Sequence, residues 1–454
     1  MMMDNTNWQL RLDQVIPGGA HTYSKGRDVF PGNAPAVLSR GRGCYVWDVE
    51  HHRYLDFGMG LKSVVLGYSN RKVDAAVRKA TRLGSNLSRP SLTELLAAEE
   101  LIQLVPGAEM VKFAKNGSNV TTAAIKIARA ATSRKLVAVP KEQPFFSFDD
   151  WFIGTTGAPS GVPEEHSQLT RVFSYGDINS LRKLINESEN QFAAVLMEPA
   201  VDFIKCSRDH RICLDFCLTE RLEATRQYLL EVRKLCSDKG IVLIFDEMRT
   251  GFRWHIGGAQ ALFNVTPDLS TFGKAIANGY SVSALLGVRS LMQLGSTNIP
   301  GTRRTFLLSS THGAEISSLA AFRQTWREIE KNDVVKGLWE YGVELGAMLS
   351  DSVQQSGFRD YISIAGPPVA LTLDFFPSEF WTEQELKTKF FSKLVEHQIL
   401  MPTITHSASH GRKELEKLKT AINTVLEDLG RNVDSSDYFK GQNHLLSPVF
   451  RDTN

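Results

Sequence analysis

From Ile241 to Phe245 five apolar residues follow one another without a polar break, and the run stops abruptly at Asp246-Glu247. A strand of this composition is buried on both faces, which requires a parallel sheet covered by helices on each side. The chain is therefore read as α/β, with a carboxylate at the C-terminal end of a strand, where open α/β sheets bind their ligands. Leu269 to Phe272 reads as a second short strand, followed by Gly273-Lys274, small residues and Gly279. A strand, its crossover and the next strand take about 30 residues. Asp246 and Lys274 are 28 residues apart, a spacing that allows the two to face one crevice.

Taken singly, a lysine after a glycine is ordinarily a surface residue, and an aspartate ending a strand is ordinarily a turn former or a helix cap. A third element changes the weighing. Val111 to Ala114 is a short apolar run interrupted by Lys112, and KNGSNVTTAAIKIARA follows it. Asn116 or Ser118 caps a helix whose inner face carries Val120, Ala124, Ile127 and Ala128. Such a start offers free N–H groups and the positive end of the helix dipole to an anion, and Gly117 lets the backbone come close. A phosphate cradle, a lysine and a strand-end aspartate are the three needs of pyridoxal 5′-phosphate. The lysine forms a Schiff base with its aldehyde, the carboxylate keeps the pyridine nitrogen protonated, and the helix start holds the phosphate. On this reading Gly117, Ser118 and Asn119 fix the phosphate, and Asp246 and Lys274 carry the chemistry.

The motifs FDEMRTGFR (245–253), DLSTFGKAIANGY (268–280), KNGSNVTTAAIKIAR (115–129), MEPA (197–200) and STHGAE (310–315) stand in one chain. With IPGGAHTYSKGR (16–27) and RGRGCYVWDVEHHRYLDF (40–57), they make the sequence resemble the class III aminotransferases. Within these it is similar to the glutamate-1-semialdehyde aminomutase-like branch, over about residues 8–430. The resemblance implies a fold-type I pyridoxal-phosphate enzyme, aspartate aminotransferase-like. Its large domain has a mixed, mostly parallel sheet, and its smaller domain is α+β. Residues 1–60 then belong to the small domain and 61–325 to the large one, with an insertion at about 201–220. Residues 326–454 return to the small domain and end in a polar tail. By the same resemblance Phe145 stacks on the pyridine face, Phe146 stands where a histidine is usual, and Met248 joins the cofactor-binding set. Thr311, with Ser310 beside it, falls where one subunit reaches the cofactor phosphate of the other, which implies a homodimer with shared active sites. The competing reading is that Ser310 and Thr311 cap the helix that begins near Ile316.

Lys+Arg number 52 against 50 Asp+Glu, so no polyanionic partner and no nucleic acid is expected. No apolar run approaches the roughly 18 residues of a membrane span, and MMMDNTNWQL lacks the pattern of a secretory signal. Five cysteines in 454 residues form no disulfide framework, and a cytoplasmic protein is expected. Cys206, His210, Cys213 and Cys217 have a spacing that matches no standard zinc pattern. They read as scattered small thiols in an insertion, with zinc as a side hypothesis and no metal in the expected site.

The expected activity is the transfer of an amino group from an amino-acid donor to a carbonyl acceptor. The entrance segment His21-Thr22-Tyr23-Ser24-Lys25 lacks the arginine that true aminomutases of this branch use for a carboxylate, and lysine keeps the charge without the two-pronged geometry. The form of this segment looks more like relatives that act on sugar-derived or other polar carbonyl compounds. The alternatives are intramolecular transfer, as in a glutamate-1-semialdehyde 2,1-aminomutase, a decarboxylase or racemase on the same cofactor, and a non-catalytic scaffold.

Overall fold

The computed structural model describes residues 5–189, 191–200, 216–301, 304–440 and 444–451. The chain divides into two compact units. One is built on Met1–Asn70 and Lys336–Val449, the other on Arg71–Lys205 and Thr219–Val335.

The second unit is organised by a seven-stranded sheet: β1 (Met110–Ala114), β2 (Leu136–Pro140), β3 (Thr170–Phe173), β4 (Phe192–Met197), β5 (Val242–Asp246), β6 (Leu269–Phe272) and β7 (Ser283–Gly287). Their order across the sheet is β1-β7-β6-β5-β4-β2-β3. Strands β6, β5, β4, β2 and β3 pair in parallel, and β7 runs antiparallel to both β1 and β6. The sheet is thus mixed and mostly parallel. Every residue of β4 and β5 is buried, as the unbroken apolar runs require. Strand β7 did not stand out in the sequence, because SALLG is short and looks like the helix-forming runs around it.

Helix α1 (Gly117–Thr132) follows β1 and packs Val120, Ala124, Ile127 and Ala128 against the sheet, in one core with Val137, Val139, Ile244 and Leu285. Its buried positions recur at helical spacing. Helix α2 (Ile316–Lys331) buries Leu319, Phe322 and Ile329 along one side. On it Arg323 and Arg327 share Glu100 with the indole N–H of Trp326.

In the other unit, strands Leu38–Arg42, Tyr45–Asp48 and Arg53–Asp56 form an antiparallel set, and Ile399–Leu400 adds in parallel to the last. A separate hairpin pairs Ile362–Ala365 with Thr372–Phe375. Helices Glu383–Glu396 and Arg412–Arg431 contribute Phe390, Leu394, Leu418 and Leu429 to a core with Phe57, Phe358 and Trp381. Asp56 then ties down the glycine-rich stretch that follows. It accepts hydrogen bonds from the Gly58 amide (2.7 Å), the Met59 amide (3.1 Å) and the Tyr68 hydroxyl (2.6 Å). That clamp holds Met59, Gly60, Leu61 and Lys62 at positive φ, a left-handed turn that costs L-residues about 1–2 kcal/mol each. Among the described residues no helix is long and apolar enough to cross a membrane.

Candidate active site

Strand β5 delivers Asp246 to the C-terminal edge of the sheet, where its carboxylate is buried. Oδ1 accepts a hydrogen bond from the Thr271 hydroxyl on β6 (2.9 Å) and another from the Met248 amide (3.1 Å). Burial, and then the neighbouring Glu198 carboxylate, push the Asp246 acid up to about 7. Glu247, next in the chain, is spent elsewhere. Its oxygens accept from the Ala259 amide (2.7 Å), the Gln260 amide (2.8 Å) and the Thr250 hydroxyl, so it anchors the start of the helix at Ala259–Phe263. Of the two acids that end the strand, Asp246 is the one left to face the site.

Lys274 lies on the turn after β6 with φ of 49°. A non-glycine residue in the left-handed region stores strain, and such residues gather at functional sites. Its side chain is partly buried, and among the described residues its amine makes no hydrogen bond or ion pair. Burial lowers its proton affinity below the ordinary lysine value; Glu198 opposes that shift, Arg249 adds to it, and Asp246 opposes it. A shielded amine with a depressed proton affinity and nothing bonded to it is ready to act as a nucleophile and base.

The helix start is built as the sequence suggests, with Asn116 as the cap. Its Oδ1 accepts from the Asn119 amide at 3.1 Å, and the Ser283 hydroxyl donates to its carbonyl oxygen at 2.7 Å. Since the cap uses the Asn119 amide, the donors of the first turn that point outward are the Gly117 and Ser118 amides. Asn116→Ala is expected to lower stability by about 1 kcal/mol through loss of the cap and to weaken cofactor retention, measured by urea unfolding and by dialysis against buffer.

The segment after β2 is seated on this helix start. The Phe148 amide donates to the Ser118 hydroxyl (3.1 Å), and the Thr121 hydroxyl donates to the Phe146 carbonyl (2.9 Å). Phe146 packs into the core with Phe152 and Trp151. Phe145 is 46% exposed. Its ring meets the edge of Phe152 and stacks on Phe450, each at 6.2 Å between centroids.

Met248 is buried and sits between two glycines. A Cβ at Gly117 would stand 3.1 Å from its sulfur, and one at Gly273 would stand 2.5 Å away. The thioether therefore fills the space that links the helix start to the lysine turn. Lys115 makes another link, donating to Glu315 Oε2 (2.9 Å), to the Ser318 hydroxyl (2.9 Å) and to the Ser281 carbonyl (3.2 Å).

Thr311 is exposed and makes no hydrogen bond among the described residues. Helix α2 is capped by Glu315, which accepts from the Ser317 amide at 2.9 Å, so capping is not the task of Ser310 or Thr311. The structure therefore gathers Asp246, Lys274, Met248 and Gly117 around β5 and β6. It seats Ser118, Asn119 and the Phe145 loop on the helix start and leaves Thr311 on the surface. Cys206, His210 and Cys213 lie outside the described residues, as does the side chain of Cys217. Among the described residues no group of three or more His, Cys, Asp or Glu side chains is arranged to hold a metal ion. Thr271, Glu198, Arg249 and Lys115 stand inside the quoted motifs without an assigned role at the site, because only strand register brings them together.

This sheet, with a strand-end acid and a lysine on the adjacent strand's turn, defines a fold-type I pyridoxal-phosphate enzyme. Residues 28–202 and 222–402 match the family described as Aminotransferase class-III, and the chain belongs to that family. A glutamate-1-semialdehyde 2,1-aminomutase of Chlorobium phaeovibrioides (strain DSM 265 / 1930) is 30% identical, over 92% of this chain and 96% of its own length. A 3-aminobutyryl-CoA aminotransferase of Cloacimonas acidaminovorans (strain Evry) is 28% identical, over 92% and 94%. Among solved structures, the FumI protein of Sphingopyxis sp. MTA144, in its PLP internal aldimine form, superposes with a TM-score of 0.81. It is 23% identical, with 95% of this chain and 97% of that one covered. The protein is a pyridoxal-phosphate-dependent aminotransferase by family. The residues present fit that cofactor: an unengaged, shielded lysine amine, a buried acid for the ring nitrogen, and a glycine whose Cβ would crowd the site floor.

Proposed function

We propose that the chain is an intermolecular aminotransferase, taking an amino group from an amino-acid donor and giving it to a polar aldehyde or ketone, sugar-derived compounds included. The observation that carries the chemical part is Lys274, with its unengaged amine, next to the buried Asp246 carboxylate. The choice of intermolecular transfer is supported by His21-Thr22-Tyr23-Ser24-Lys25, which has no arginine to grip a substrate carboxylate in two places.

When bound, the cofactor supplies an electron sink and a carbonyl carbon that receives the amino group. The chain's own groups do the rest. Lys274 Nζ would hold the cofactor and, when free, would take a proton from the donor's Cα. Asp246, kept in place by Thr271 and the Met248 amide, holds a proton on the ring nitrogen. The Gly117 and Ser118 amides bind the phosphate at the positive end of helix α1. Met248 and Phe145 would be the apolar side chains that hold the ring. In a homodimer, Thr311 reaches the partner's phosphate. Leu83, Leu87, Leu92 and Leu95 are all more than half exposed, and exposed leucines of this kind suit a subunit interface.

The 30% identical aminomutase relative keeps intramolecular transfer as the second reading. The test is to mix the cofactor-loaded protein with single amino donors and follow its visible absorption. An aminotransferase bleaches the band with donor alone and recovers it with a carbonyl acceptor. An aminomutase converts glutamate 1-semialdehyde with neither added, and that result overturns the proposal.

A further inference from the structure

Glu198 is the first residue past β4. Met197 pairs with Phe245 and Asp246 pairs with Thr271, so Glu198 stands level with Asp246 on the adjacent strand. Residues level with one another in parallel strands point to the same face of a sheet, and both carboxylates are buried. The backbone of Glu198 is held at two points by one side chain. The Gln143 amide group donates to its carbonyl oxygen (2.9 Å), and the Glu198 amide donates back to Gln143 Oε1 (2.8 Å). Its carboxylate receives Arg249 Nε at 2.5 Å. Arg249 follows Asp246 by three residues, on the turn that leaves β5. A buried acid and a guanidinium are thus fixed at the sheet edge that carries Asp246 and Lys274.

We propose that Glu198 and Arg249 are opposed positioning residues whose balance sets how readily Asp246 and Lys274 carry their protons during amino transfer. This rests on the reading of Lys274 as the cofactor-bearing lysine. The two members act in opposite senses. Glu198 makes Asp246 a more basic acceptor, so the ring-nitrogen proton is held more firmly, and it favours the charged form of the lysine nitrogen. Arg249 favours the neutral form of that nitrogen, which is the form that takes a proton from the donor. Bonded together, they add little net charge to the crevice, so each can be strong without flooding the site with its own sign. Among the described residues the charged groups that bear on Lys274 are Glu198, Arg249 and Asp246, while Glu247 is turned to the amides of Ala259 and Gln260. The directions agree with the geometry: the Glu198 charge raises both acid and lysine, and Arg249 lowers the lysine.

The experiment is a pH titration of the visible band of the cofactor-loaded protein, whose midpoint reports the proton on the Lys274–cofactor linkage. Glu198→Gln is expected to lower the midpoint by about one pH unit or more; at an effective dielectric near 20, one unit is the effect of a single charge from about 12 Å. Arg249→Met raises it by a similar amount, Arg249→Lys leaves it near the parent value, and the double variant Glu198→Gln with Arg249→Met returns towards the parent. A residue that only shapes the local fold would not give opposite signs and a cancelling double variant. For variants that retain too little cofactor, labelling of Lys274 by an amine-reactive reagent, read by mass spectrometry against pH, must give the same order of midpoints. An unmoved Glu198→Gln midpoint, or both single variants shifting in one direction, overturns the inference. If the parent protein forms no visible band with pyridoxal phosphate, it is instead the reading of Lys274 that fails.

Discussion

Lys274→Ala is expected to remove the visible absorption of the cofactor-loaded protein and to lower turnover by about 10⁴-fold or more. The side chain has two tasks, covalent attachment and proton transfer, and a positioned acid–base group alone contributes about 10²–10⁴-fold. The substitution isolates these tasks well. Alanine is no worse than lysine at φ of 49°, so the turn keeps its conformation, and Gly273, whose space is bounded by Met248, is untouched. The phosphate cradle on helix α1 is also intact, so the variant still binds pyridoxal phosphate, and equilibrium dialysis will detect it. Turnover within tenfold of the parent would mean that another amine carries the cofactor.

Asp246→Asn is expected to move activity and stability in opposite directions. Asparagine keeps an oxygen to accept from Thr271 and the Met248 amide but cannot hold the proton of the ring nitrogen as an ion pair, and turnover falls by about 10²–10⁴-fold. The cofactor-free variant, however, is the more stable protein at neutral pH. The folded protein keeps the Asp246 proton up to about pH 7, whereas the ordinary value is 3.8. Between those limits the folded state binds more protons than the unfolded state, so stability falls as pH rises through the window and then levels off. At about 1.4 kcal/mol per unit, the penalty reaches roughly 4 kcal/mol by pH 7. Asparagine, neutral throughout, escapes it. Melting temperatures of the two cofactor-free proteins should coincide near pH 4 and separate towards pH 7. Parallel curves over that range would show that Asp246 is already ionised in the folded state. An acid that destabilises its own fold is consistent with a site kept for function.

The sequence made the centre of this arrangement readable because each part had its own local signal. The apolar run into Asp246 marked a doubly covered strand, Gly273-Lys274 closed the next one, and Asn116 with Gly117 opened a helix. The family resemblance then joined the parts and supplied Phe145, Met248 and Thr311. Other features lay beyond local pattern. Strand β7 is antiparallel in a sheet whose other strands are mostly parallel, and nothing in SALLG distinguishes its direction. Asn119 is placed at the phosphate by the motif, and its backbone amide is taken by Asn116, which leaves its side chain for that role. Thr271 and Glu198 are ordinary in sequence; only pairing across β4, β5 and β6 makes them neighbours of Asp246. Lys115 and Glu315 are 200 positions apart, a separation at which one sequence read alone carries no contact information.

The packing of Met248 against Gly117 and Gly273 also bears on how such an enzyme can change over generations. The three positions fall in three separate motifs, yet they occupy one volume. Enlarging Gly273 requires the methionine side chain to shift, and enlarging Gly117 requires it to give slightly, while a smaller residue at 248 opens a void until something fills it. Substitution at these sites therefore proceeds in compensating pairs. In a deep set of descendants, the three columns should vary together although they are far apart in the gene.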